Sequence, residues 1–189
     1  MAGSLPLAEF VKQLAAKQPT PGGGGAAAVA GALGASAAHM AAAYTTRKKD
    51  VESGAAAKAE SLMGRLDPAA VLAVADADAS AYADLQRSWK DAEMTNADKA
   101  AIEARALQVP VGLLEQCAAQ IRDIEAFMPA CNPNITSDAK VGIHLLAGAA
   151  RAAYQTAVVN KPPQAELERL QSLLREVRAA EDKVLGLGD

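Results

Sequence analysis

Apolar residues recur along this chain at helical intervals from one end to the other. Leu7, Phe10, Val11 and Leu14 open the pattern and predict a helix over about 5–17. A second helix, over about 24–45, is built mostly of Ala, Gly and Ser. On it Ala27, Gly31 and Ala35 share a face against which another backbone can come very near. A third helix starts near 50 and is interrupted at Asp67-Pro68, where an N-cap and a first-turn proline open the next helix, over about 68–89. A long segment over about 96–128 presents Leu107, Val111, Leu114, Ala118, Ile121 and Met128 as its buried face, and Pro110 within it predicts a kink or break. After a break at 129–134, Ser137 is placed to cap a helix that runs to about 160. Its expected apolar face is Val141, Leu145, Gly148, Ala152 and Val159. Lys140, His144, Ala147, Arg151 and Gln155 form another face, either solvated or lining a cleft between subunits. The last helix, about 164–185, repeats Leu167, Leu170, Leu174, Val177 and Val184 in a short coiled-coil-like seam, with Glu181 in the missing slot. These elements predict an all-α fold. It is a single domain over 1–189, a bundle of about five to six helices expected to dimerise through long Ala/Gly-rich helices.

Composition sharpens that picture. The chain is 51% hydrophobic but only 3% aromatic, so small apolar residues must fill much of the core and helices must approach closely. A net charge of −3 gives no general attraction to nucleic acid. Cys117 and Cys131 have no metal-type spacing and fit free thiols in a reducing cytoplasm. There is no basic stretch followed by an apolar run of the secretory kind. The segment 26–43 is as long as a membrane span, but Ala and Gly drive insertion poorly, and a buried core helix is the expectation.

Two stretches carry candidate chemistry. Pro19-Thr20-Pro21-Gly22-Gly23-Gly24-Gly25 gives a rigid approach and then a bare backbone at a helix start. Such a turn either holds a carboxylate, carbonyl or phosphate on its free N–H groups or lets two helices pack closely. It lacks the Lys-Ser/Thr of a P-loop and the preceding strand of a dinucleotide fingerprint. In the helix over 68–89, Val71, Ala75, Asp78, Tyr82, Leu85 and Trp89 lie at steps of 4, 3, 4, 3 and 4. Asp78 therefore interrupts an apolar stripe, and a carboxylate withdrawn from water needs partners or a function. Asp76 is turned about 200° away and reads as ordinary surface. Arg47-Lys48-Lys49 either complements a helix C-terminus or clamps an anionic group. His39, alone in its helix, reads as a core or interface residue.

These residues resemble the motifs of the cyclodeaminase/cyclohydrolase family, which includes the cyclodeaminase domain of formiminotransferase-cyclodeaminase and free-standing methenyltetrahydrofolate cyclohydrolases. The glycine block with Gly31-Ala32-Leu33-Gly34-Ala35 is similar to its opening motif, and Asp76-Ala77-Asp78-Ala79-Ser80-Ala81-Tyr82 to its central acidic motif. Asn132-Pro133-Asn134 with Ser137-Asp138, then Arg151 and Asn160, resembles its last motif. The three blocks stand in order and cover most of 5–160. The chain departs from the pattern at Arg47, where a Gly is usual, and at Thr156, where many members have Asn. The resemblance implies an intertwined homodimer with a tetrahydrofolate derivative bound as substrate near the subunit interface, and no metal or redox cofactor. For a free-standing chain of this length it implies hydrolysis of 5,10-methenyltetrahydrofolate to 10-formyltetrahydrofolate. The alternatives are formiminotetrahydrofolate cyclodeamination and a non-catalytic folate-binding homologue. In that reading Asp78, Lys48 and Asp138 are the catalytic set. Thr20, Gly23, Gly24, Gly25, Asn134, Ser137, Arg151 and Asn160 bind substrate. Asp78 faces the cationic carbon, Asp138 with Asn134 grips the pterin edge, and Lys48 meets the alkoxide or the glutamate tail.

Overall fold

The computed structural model describes residues 2–187, apart from the side chain of Ala2. Among them are eight α-helices and two short 3-10 turns, at Ala2–Ser4 and Met128–Ala130. The helices are α1 (Leu7–Leu14), α2 (Gly23–Ala43), α3 (Lys48–Glu52), α4 (Ala55–Met63), α5 (Pro68–Lys90), α6 (Asn96–Phe127), α7 (Thr136–Val159) and α8 (Gln164–Leu185). The all-helical expectation holds. The segment from 50 to 66, expected as one helix, is instead the pair α3 and α4, separated at Gly54, which takes φ 76°. That left-handed backbone favours glycine and ends the first helix.

Helix starts follow their local chemistry. Asp67 Oδ1 accepts from the Ala70 N–H at 2.9 Å, with Pro68 at the first position of α5. Thr95 Oγ1 accepts from the Asp98 N–H at 3.1 Å and opens α6. The expected cap at Ser137 is a correction. α7 is capped at Ile135, and Ser137, exposed in its first turn, donates from Oγ to Asp138 Oδ2 at 3.2 Å. α6 runs unbroken through Pro110.

α2 is the central element and packs on α7, α5, α4 and α6. It is long and apolar enough to cross a membrane by length and composition, and here it forms the core of the bundle. Its inward surface is nearly featureless: Ala27, Ala28, Ala35, Ala38, Ala41 and Ala42 are all buried. Gly31 is where α5, α6 and α7 converge on it, since a Cβ there would meet Val71 Cγ1 at 3.0 Å, Ala149 Cβ at 3.3 Å and Cys117 Sγ at 3.4 Å. At Gly34 the approach is tighter. A Cβ would stand 2.8 Å from the Leu146 nitrogen and 2.9 Å from the Gly142 carbonyl oxygen, so the two helices meet backbone to backbone.

That contact overturns the expected apolar face of α7. Its buried side is Ala139, Gly142, Ile143, Leu146, Ala149, Ala150, Ala153 and Ala157, whereas Val141 and Val159 are exposed. Close packing selects the smallest residues, so side-chain hydrophobicity points to the wrong face. The other expected face of α7 is partly solvated, with Arg151 and Gln155 exposed and Ala147 buried. His144 Nδ1 lies 3.3 Å from Glu181 Oε1, and Arg151 donates from Nη1 to Glu181 Oε2, joining α7 to the buried carboxylate of α8 within one chain. Trp89, expected on the buried stripe of α5, is 65% exposed.

The glycines of α2 and α6 make opposite predictions. Gly34→Ala forces backbone apart and is expected to lower stability by about 1–3 kcal/mol. Gly112→Ala, in α6 with nothing within 4 Å of the added carbon, is expected to raise it by about 0.5–1 kcal/mol. Urea unfolding midpoints of the two variants check both signs.

Candidate active site

The glycine turn and the acidic stripe meet. The N-terminus of α2 abuts the middle of α5, and the Gly25 N–H, one of the first-turn donors without an intrahelical partner, donates to Asp78 Oδ2 at 3.1 Å. A Cβ on Gly24 would stand 2.1 Å from Asp78 Oδ1 and 2.5 Å from its Cγ. Only a glycine leaves the notch in which this carboxylate sits. Both readings of the turn are thus realised at once: it packs two helices closely and it holds a carboxylate, the protein's own. Burial pushes the Asp78 carboxyl above its ordinary range, and the Gly25 N–H opposes that shift. Asp78 is only half-buried, because its free side opens into a cavity of about 640 Å³. Asp76 departs from the surface reading. Its Oδ1 accepts from the Gly3 N–H at 3.1 Å and ties the first 3-10 turn to α5.

The cavity gathers Thr20, Gly23, Gly24, Asp78 and Asn160 from the residues singled out in the sequence, and Gly25 joins them through its bond to Asp78. It also draws in residues outside the expected catalytic and substrate-binding set. Tyr82, Leu85 and Trp89 line one side from α5, with the Tyr82 and Trp89 rings edge to face at 6.3 Å. Glu103 and Ala106 come from α6, and Thr156, Val159 and Lys161 from the end of α7 and just beyond. An apolar wall with few convergent polar groups suits a flat heterocycle. The stripe periodicity was the available signal for Tyr82, Leu85 and Trp89. Nothing in the local sequence marks Glu103 or Ala106.

The remaining predicted residues lie elsewhere in the chain. α2 is 21 residues long, so its two ends stand about 30 Å apart at 1.5 Å per residue. The first part of the last motif, Asn132 to Asp138, lies at the far end. Asn132 is buried, donates from Nδ2 to the Tyr44 carbonyl at 3.0 Å and from its N–H to Thr45 Oγ1 at 3.1 Å, and so closes the C-terminus of α2. Asn134 is exposed, with its N–H donated to Asn132 Oδ1 at 3.0 Å; Ser137 and Asp138 follow it. Lys48 has a side chain 91% exposed, 3.8 Å from Glu52. Arg47 is occupied: its guanidinium forks onto Asp50 with two contacts of 2.7 Å, and those bonds hold the Asp50 carboxyl below its usual range. Arg151 is engaged by Glu181. Within one chain, then, Lys48, Asn134, Ser137, Asp138 and Arg151 are not brought to the cavity that holds Asp78. Cys117 is buried in the core with its thiol pushed up to about 12 by desolvation, as packing rather than nucleophilic chemistry requires.

The sequence profile of formiminotransferase-cyclodeaminase matches residues 6–179, nearly the whole chain and all three motif blocks. The chain belongs to the formiminotransferase-cyclodeaminase family. Among solved structures it is similar to formiminotetrahydrofolate cyclodeaminase from Thermotoga maritima, with 21% identity, a TM-score of 0.77 and 98% of each chain covered. At that identity the likeness establishes the shared fold. No curated protein matches the chain. Membership in the formiminotransferase-cyclodeaminase family places the chain among folate-processing proteins, and the geometry around Asp78 makes this cavity the candidate active site.

A raised carboxyl pKa has a stability consequence. The folded protein holds the Asp78 proton more tightly than the unfolded chain does. The stabilisation that results is complete below the unfolded pKa, near about 4, and is lost as pH rises through the folded value. Asp78→Asn keeps an oxygen for the Gly25 N–H without the charge. Its Tm is expected to exceed that of the unmodified protein by a margin that widens from pH 4 to pH 8. A margin that narrows toward neutrality contradicts the assignment.

Proposed function

We propose that this protein hydrolyses 5,10-methenyltetrahydrofolate to 10-formyltetrahydrofolate in the cytoplasm. One observation carries the reading: a carboxylate with a raised pKa lies against the glycine N-terminus of α2 and opens into a cavity large enough for a reduced pterin. The substrate carbon is an amidinium and already electrophilic. Water adds to it, and Asp78 takes the proton that the water releases. The tetrahedral carbon then loses its bond to N5 and becomes the formyl group on N10; N5 takes a proton back from Asp78, and the carbinol hydroxyl gives its own proton to solvent, so one proton is released overall. A carboxyl whose pKa is displaced toward neutrality suits both transfers. Ionised, the same group stabilises the cationic ring. Gly23 and Gly24 offer backbone donors to the developing oxygen charge, and Thr20 and Asn160 border the bound ring.

Formiminotetrahydrofolate cyclodeamination is the second reading, favoured by the likeness to the Thermotoga maritima enzyme. There N10 closes on the formimino carbon and ammonia leaves, with Asp78 delivering the proton to the departing nitrogen.

We further propose that the active form is a homodimer in which the far cluster of one copy faces the Asp78 cavity of the other. Leu33, Met40 and Tyr44 on α2 and Val141 on α7 are exposed, giving an apolar strip that runs between the two clusters. In this arrangement Asp138 and Asn134 grip the pterin edge. Lys48, with Ser137 nearby, meets the anionic part of the substrate, and Arg151 would contribute from further along α7.

Loss of methenyltetrahydrofolate absorbance with appearance of a formyl product tests the activity. Asp78→Asn is expected to lower turnover by about 10²-fold or more, and Asp76→Asn to leave it nearly unchanged. Equal activity of the two variants removes Asp78 from the mechanism. Ammonia release from formiminotetrahydrofolate selects the second reading, and tight binding without turnover of either substrate identifies a folate-binding homologue. Subunit sharing makes its own prediction. Refolding an equal mixture of inactive Asp78→Asn and Asp138→Asn chains restores one intact site per mixed dimer, about a quarter of full activity. Monomers in light scattering at micromolar concentration, or no complementation, contradict the shared site.

A further inference from the structure

We propose that Pro110 and Asn160 form a positioning pair that fixes the Asn160 amide with its oxygen toward the cavity, as an acceptor for an N–H of the bound ligand. The identity of that ligand as a reduced pterin rests on the function proposed above; the pairing does not.

Pro110 stands inside α6 and has no N–H. The carbonyl four residues earlier, that of Ala106, therefore lacks the donor that every other turn of the helix supplies. Ala106 is buried at the cavity wall, where an unpaired carbonyl is unfavourable. Asn160, the residue after α7 ends, fills the vacancy. Its Nδ2 donates to the Ala106 carbonyl at 3.2 Å and to the Thr156 carbonyl at 3.0 Å. Carbonyl oxygens only accept, so the nitrogen and not the oxygen of this amide must face them. Both amide protons are spent. The Oδ1 takes no hydrogen bond among the described residues, and Asn160 lines the cavity.

Neighbouring donors are spent in the same way. Thr156 donates from Oγ1 to the Ala153 carbonyl at 2.8 Å, and the Gly25 N–H goes to Asp78. Asp78 and the Asn160 oxygen thus present acceptors to the cavity, which suit N–H groups such as those a reduced pterin carries; the hydroxyls of Thr20 and Tyr82 and the Lys161 ammonium line it as well. Pro110 touches no ligand in this scheme. It acts by withholding a proton from Ala106, which then binds the Asn160 amide.

Pro110→Ala returns the helical N–H to Ala106 and should release Asn160 without weakening α6. Two measurements test this on the full chain. In ¹⁵N-labelled protein, hydrogen exchange of the Asn160 side-chain amide is expected to be slow in the unmodified protein and at least about tenfold faster in Pro110→Ala. Titration with tetrahydrofolate is expected to show about tenfold weaker binding for Pro110→Ala and for Asn160→Ala, one hydrogen bond's worth. The double variant should be no weaker than Asn160→Ala alone. Unchanged amide exchange in Pro110→Ala, or losses that add in the double variant, overturns the pairing. If the unmodified protein does not bind tetrahydrofolate, the pterin assignment fails, and the exchange comparison still decides whether Pro110 holds Asn160.

Discussion

Helix α2 lies closer to its neighbours than ordinary side chains permit, and the rest of the structure is arranged around that approach. At Gly34 the backbones of α2 and α7 touch, and at Gly31 three other helices converge on one missing Cβ. Packing of this kind draws its stability from many short contacts between small groups rather than from a few large buried side chains. It explains a core made chiefly of alanine with few aromatics. It also explains why Val141 and Val159 of α7 are turned outward while Gly142 faces Gly34 of α2 at the closest approach.

The same constraint creates the candidate active site. Where α2 begins, the absent Cβ of Gly24 becomes a notch, and α5 presents Asp78 to it. One backbone N–H from Gly25 satisfies part of the carboxylate. Burial without a cation leaves the group under-stabilised as an anion, a state that ordinary surface residues avoid and catalytic groups exploit. The folding cost of such a group is borne by the tight helix packing on either side of it.

The polar residues at the two ends of α2 do different work. At its start, glycine amides and an acidic side chain enclose a cavity. At its end, Asn132 and Thr45 close the helix, and Arg47 locks onto Asp50. The basic cluster that follows α2 is therefore only partly available to a ligand. The Arg47 that departs from the family pattern serves as a cap for α3, with the Asp50 carboxylate accepting its backbone N–H as well as its guanidinium.

By itself the sequence determined the helical class, the helix boundaries set by Asp67-Pro68 and the glycine turn, the special position of Asp78 and the family. Each of these depends on local chemistry: the 3.6-residue repeat, a capping side chain, a ring without an N–H, a backbone without Cβ atoms. Tertiary structure decided which face of α7 is buried, because that depends on how near another backbone comes and not on how hydrophobic a side chain is. It decided that Glu181 would meet Arg151 and His144, and that Asp76 would hold Gly3 rather than face water. It also brought Asn160 to the carbonyl freed by Pro110, 54 residues away in sequence. Spacing along a helix reports the direction of a side chain. It carries no record of the partner that another helix delivers, and for that reason the motif residues could be named from sequence while their places relative to the Asp78 cavity could not.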